Sequence, residues 1–124
     1  MAFHIHTTDD GRVPGLEYLP CGALTPKAGM AMKQENGLLT AAAGADAPTY
    51  LCMAQRETAC AEGDLIPVVR LQADMVLEAA TPESFAALPG GKVQLSADGL
   101  GLDTAAGGAA EVVYTDKDVT RVRV

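Results

Sequence analysis

The chain has no Trp, and only three Tyr and two Phe among 124 residues. A core built around large rings is excluded, so Val, Leu, Ile, Met and Ala must fill the interior. Such a core is thin, which suits a small barrel or sandwich, or a subunit finished by its neighbours. Nine basic residues face sixteen acidic ones, for a formal net charge of −7. No run of Lys or Arg occurs. Binding to nucleic acid or to an anionic membrane surface draws on clustered cations, so neither partner is expected. The uninterrupted apolar stretches are too short to span a bilayer. The opening residues, Met-Ala-Phe-His-Ile-His-Thr-Thr-Asp-Asp, lack a basic region followed by an apolar run, so no signal peptide is expected.

Chemistry-bearing motifs are scarce too. Cys21, Cys52 and Cys60 form no Cys-x-x-Cys pair. Their odd count fits a reducing compartment where each thiol fills apolar space. A bond between Cys52 and Cys60 would need them on facing strands. His4 and His6 are the only histidines and would share one face of a strand, as a metal pair needs. The nearest carboxylates, Asp9 and Asp10, fall in a turn, so a packing or solvated role is expected. Ser84 and Ser96 sit in no nucleophile-elbow context. Glu62 with Asp64, and Asp116 with Asp118, flank turns, where acids are simply solvated. Asp116-Lys117-Asp118 is too short for a calcium loop. Gly90-Gly91 and Gly107-Gly108 lack the following helix and Lys of a phosphate loop. No catalytic residue, metal or cofactor is expected, and no enzyme.

What is present reads as strands and turns. Apolar residues make up 48% of the chain. Residues 1–23 are punctuated by Gly11, Pro14, Gly15, Pro20 and Gly22, which bar a long helix. They nevertheless carry Phe3, Ile5, Val13, Leu16, Tyr18 and Leu19. This spacing predicts an extended N-terminal arm that lies on a surface, either of its own domain or of another subunit. These six are the candidate contact residues for another subunit or a partner surface. Residues 24–124 read as a single β-rich domain. Asn36-Gly37 is a tight-turn dipeptide joining Met30-Ala31-Met32 to Leu38-Leu39-Thr40. Tyr50 to Ala54 reads as a buried strand. Leu65 to Leu71 is the clearest strand, and Pro67 predicts an edge or a bulge there. Gln72-Ala73-Asp74 predicts a hairpin into Met75 to Ala79. Thr81, Pro82 and Glu83 predict one short helix, with Phe85 and Leu88 facing the core, ended by Pro89-Gly90-Gly91. Lys92 to Ser96, Leu100 to Leu102, Glu111 to Tyr114 and Val119 to Val124 complete the strands. The last is mixed on both faces and predicts an edge or subunit-contact strand. Met30, Met32, Met53 and Met75 are expected as core filler.

A weak internal repeat is visible. Gly29 precedes Asn36-Gly37 by the same interval that Gly91 precedes Asp98-Gly99. Each turn is followed by Leu, a small-residue loop and a strand. Hairpin chemistry alone also produces such coincidences.

The order of these phrases resembles the head-decoration, or capsid cement, proteins of lambda-like tailed phages. The residues that carry the likeness are Leu24 to Met32, Asn36 to Ala41, Pro48 to Ala54 and Ala61 to Val69, with Gly90 to Gly99 matching more loosely. The resemblance covers roughly residues 24–124. It implies a small antiparallel β-barrel or β-tulip-like domain with an extended arm. It further implies a non-enzymatic homotrimer, made in the bacterial cytoplasm and carried on the capsid exterior of the virion. There it would stabilise the expanded head by bridging major capsid protein subunits. Other readings are a structural β-module of a phage tail or baseplate, or a small-ligand-binding β-barrel.

Overall fold

The computed structural model describes residues 2–8 and 14–124. Eleven strands run in chain order: β1 (His4–Thr7), β2 (Leu16–Pro20), β3 (Ala31–Glu35), β4 (Leu38–Ala41), β5 (Tyr50–Cys52), β6 (Leu65–Arg70), β7 (Val76–Ala80), β8 (Lys92–Leu95), β9 (Leu102–Ala106), β10 (Ala110–Thr115) and β11 (Val119–Arg123). They form a five-stranded sheet in the order β2-β6-β5-β3-β4 and a six-stranded sheet in the order β1-β7-β11-β10-β8-β9. The chain is thus mainly β and antiparallel.

The two orders are one pattern used twice. Advancing every strand of β2-β6-β5-β3-β4 by five gives β7-β11-β10-β8-β9, and β1 is an added edge. The Gly29 and Gly91 phrases of the repeat open equivalent hairpins of these two units. Asn36 (φ 51°) and Gly37 (φ 80°) make the left-handed turn that joins β3 to β4.

Apolar alternation places residues on both faces of the smaller sheet. Ala31 and Leu51 face the larger sheet and share a core with Phe3, Leu77, Val93, Leu95, Val112 and Val122. Met32, Leu39, Tyr50, Cys52, Ile66 and Val68 face the other way and form a second core. That second core is closed over by Cys21, Leu24, Met30, Ala54, Cys60 and Leu100. The sheet curls around it until Cys21 touches Leu39, where the Gly22 amide donates to the Leu39 carbonyl at 3.0 Å.

Several expectations are corrected here. The sheets do not close into a barrel. Closure needs a continuous ladder, but β2 ends at Pro20, and only the single Cys21–Leu39 bridge reaches β4. The short helix is not formed. Ser84 takes a left-handed backbone (φ 58°), which a right-handed helix cannot include. The Thr81 hydroxyl bonds the Asp116 carbonyl (2.7 Å) and the Thr120 hydroxyl (2.8 Å) instead of capping amides. Residues 72–74 do not make a hairpin, because both sides of β6 are already occupied by β2 and β5, and the chain must cross to the other sheet. For the same reason β11, flanked by β7 and β10, is interior. Pro67 also lies in an interior strand with no recorded bulge. Its carbonyl accepts from the Met53 amide (3.0 Å), so its missing N–H faces the point where β5 has already ended. The ladder therefore loses little there.

Candidate interaction surface

The register of β2 against β6 pairs Leu16 with Val69, Tyr18 with Pro67 and Pro20 with Leu65. Cross-strand partners share a face, so these six side chains line one side of the sheet. Leu51 and Ala31 continue the same face toward β3. Ala31 and Leu51 belong to the first core, and Val69 is buried beside them. Beyond them, Leu16 is 53% exposed, Tyr18 62%, Leu65 58% and Met53 46%. An apolar strip therefore lies open along the edge strand β2 and its neighbour β6.

Beside the strip is an apolar cavity of about 380 Å³, lined by Phe3, His4, Ile5, Ala28, Gly29, Leu51 and Met53. One wall is β1. Gly29 seats it: the Phe3 amide donates to the Gly29 carbonyl (3.2 Å). A Cβ on Gly29 would stand 2.4 Å from the Phe3 carbonyl oxygen, so no larger residue fits under β1.

The six arm residues thus have different fates. Phe3 is buried in the first core, and Ile5 packs half-buried against it. Leu19 packs against the second core. Leu16 and Tyr18 are exposed. Val13 lies outside the described residues. The arm pairs with its own domain on both sides, through β1 on β7 and β2 on β6. Met53 is not core filler, unlike Met30, Met32 and Met75. Met53, Leu65 and Pro67 join the surface although the sequence reading did not select them. For Leu65 and Pro67 the signal that could have found them is their i, i+2 spacing with Val69 on a strand whose alternate residues, Ile66 and Val68, are buried; Met53 has the same spacing with Leu51.

The histidine pair, on the edge strand β1, meets a carboxylate of the neighbouring interior strand β7. His4 Nε2 lies 2.9 Å and His6 Nδ1 3.7 Å from Glu78, and Arg121 Nε donates to the same carboxylate at 2.8 Å. Among the described residues, no three His, Cys, Asp or Glu side chains are grouped so as to hold a metal ion. Arg121 stacks over Tyr114 at 4.7 Å, which fixes the guanidinium. The hydrogen bond from Arg121, with help from His4, holds the Glu78 carboxyl below its ordinary value of 4.5. A carboxyl lowered by folding stabilises the fold above its unfolded value, and that share is lost as pH falls through the lower folded value. Glu78→Gln should therefore lower the melting temperature at neutral pH. The gap from the unaltered chain should narrow as pH drops below 4.5 in a thermal-denaturation series. A gap that stays constant down the series would show that the charge contributes nothing.

Asp116 and Asp64 serve turns. Asp116 Oδ1 accepts the Asp118 and Val119 amides at 2.8 Å each, and Asp64 Oδ2 accepts the Ala61 amide at 3.0 Å. Among the described residues, no helix is long and apolar enough to cross a membrane. Comparison with family profiles, curated proteins and solved structures gives no match to this chain.

Proposed function

We propose that this chain is a non-enzymatic capsid decoration protein of a phage or prophage. It works as a homotrimer on the virion exterior and stabilises the expanded head by bridging major capsid protein subunits. The resemblance over residues 24–124 supplies the class. The observation that carries the reading is the open apolar strip of Leu16, Tyr18, Met53 and Leu65. A small acidic domain gains nothing from leaving such a strip in water, and contiguous exposed apolar area marks an interaction site. Its position beside an edge strand suits a partner that brings a sheet or an extended segment of its own.

Deleting the arm would be a poor test, because it would strip a paired strand from each sheet. Point changes on the strip separate binding from folding. The double variant Leu16→Asp, Tyr18→Asp should keep its melting temperature within a few degrees. In cosedimentation with expanded capsids of the genome that encodes this chain, it should bind at least about 100-fold more weakly, the loss expected when central apolar anchors are removed. Equal binding by the variant would remove the strip from the interface. Failure of the unaltered chain to bind expanded capsids would remove the function.

A further inference from the structure

The second core contains three thiols within one small space: Cys21, Cys52 and Cys60 are all buried and all free. They are not equivalent. Cys52 is held in β5, paired with Val68, and its thiol donates to the Ala54 carbonyl at 3.4 Å. Cys21 follows the last residue of β2. Cys60 lies in the loop between β5 and β6, where residues 57–59 and 61–63 are exposed. The backbone ties these last two segments together. The Cys21 amide donates to the Asp64 carbonyl (2.7 Å), the Gly63 amide to the Cys21 carbonyl (2.8 Å), and the Cys60 amide to the Leu24 carbonyl (2.8 Å). Both side chains pack in the same buried cluster. Arg56 Nη1 lies 3.3 Å from Cys60 Sγ and places a positive charge beside that sulfur. Burial, reinforced by Cys60, pushes the Cys21 thiol up to about 12, so Cys21 waits as the protonated partner.

We infer that Cys21 and Cys60 are a latent disulfide pair, which on oxidation staples the β5–β6 loop to the end of β2. With glutathione disulfide as the oxidant, the Cys60 sulfur gives up its proton and attacks one glutathione sulfur. A protein–glutathione bond forms, and the first glutathione leaves and takes up that proton. The Cys21 sulfur then attacks Cys60 Sγ, and its proton goes to the second departing glutathione. Two protein thiols lose two electrons in total, and one glutathione disulfide becomes two thiols. Cys60 reacts first because it sits at the base of an exposed loop that can open locally, whereas Cys52 is fixed in a ladder. This inference is independent of the capsid reading.

The test treats the full reduced chain with glutathione disulfide under native conditions. It then alkylates the remaining thiols and maps the products by protease digestion and mass spectrometry. The expected product has lost two hydrogens, links Cys21 to Cys60, and carries one alkylated residue, Cys52. The crosslink closes a long stretch of chain, so the melting temperature should rise by on the order of 5–10 °C. Cys21→Ala should stop at the glutathione adduct on Cys60, and Cys52→Ala should still form the crosslink. In the unaltered chain, a bond through Cys52, a lasting adduct on Cys60, or three alkylated cysteines after the treatment would each overturn the inference. Because that mapping uses the unaltered chain, it decides the matter even if a variant fails to fold.

Discussion

Val69→Asp is expected to leave no stably folded chain at room temperature, or to cost at least about 3–5 kcal/mol, the penalty of an unpaired buried charge. Stabilities of whole domains are about 5–15 kcal/mol, so most of the margin would go. Val69 is 2% exposed and pairs with Leu16 on one side and Leu51 on the other. No cation lies among those neighbours to receive the carboxylate. The matched change is Leu65→Asp, on the same strand and the same face. Leu65 is open to water, so this change should alter stability by no more than roughly 0.5 kcal/mol. Urea denaturation of both variants reads the difference directly. Comparable losses would mean that the open strip is in fact covered and that the proposed interface is wrongly placed.

Gly108→Ala carries the next largest effect. The link from β9 to β10 must pass the end of β8, because β8 lies between them in the sheet. In the first unit the equivalent link from β4 to β5 has residues 42–49 for this step, whereas the second unit has only residues 107–109. The short link presses against β8. A Cβ on Gly108 would stand 2.0 Å from the Val93 carbonyl oxygen and 2.4 Å from its carbon. These are backbone atoms of a paired strand and cannot rotate away, so the loss should be about 3 kcal/mol or more. Gly107 is the control. Its backbone is left-handed (φ 82°), but nothing lies within 4 Å of a Cβ there. Gly107→Ala should cost only about 1–2 kcal/mol, the conformational share alone. If thermal melts rank the two variants equally, the close crossing over β8 is wrong.

Whatever depended on neighbours along the chain was legible in the residues themselves. The Asn36-Gly37 turn needs only two residues that accept positive φ. The strands around Leu51, Val68, Leu77 and Val93 announce themselves by apolar and β-branched composition. The equal spacing of the Gly29 and Gly91 phrases was already a trace of the doubled five-strand unit. The same local reading failed for residues 81–88, where cap chemistry suited a helix. A stretch of two turns is too short to hold together without packing; Ser84 took a left-handed backbone, and Thr81 found other partners in the β10–β11 turn.

Only the tertiary structure decided which strands share a sheet, and this governs everything else about the surface. Pro67 and β11 are interior because of which strands flank them, a fact no single segment contains. Phe3 and Tyr18 both looked like apolar residues of a loose arm. Phe3 became core because it packs into the cluster between the sheets, while Tyr18, farther along the face than Leu51 and Val69, stayed in water. The turn dipeptides and the apolar, β-branched runs between them established that this acidic, ring-poor chain would fold as β-structure. Where the second layer ends, and hence which apolar residues remain open, depends on contacts between residues far apart in the chain. Those contacts form only when both five-strand units are in place.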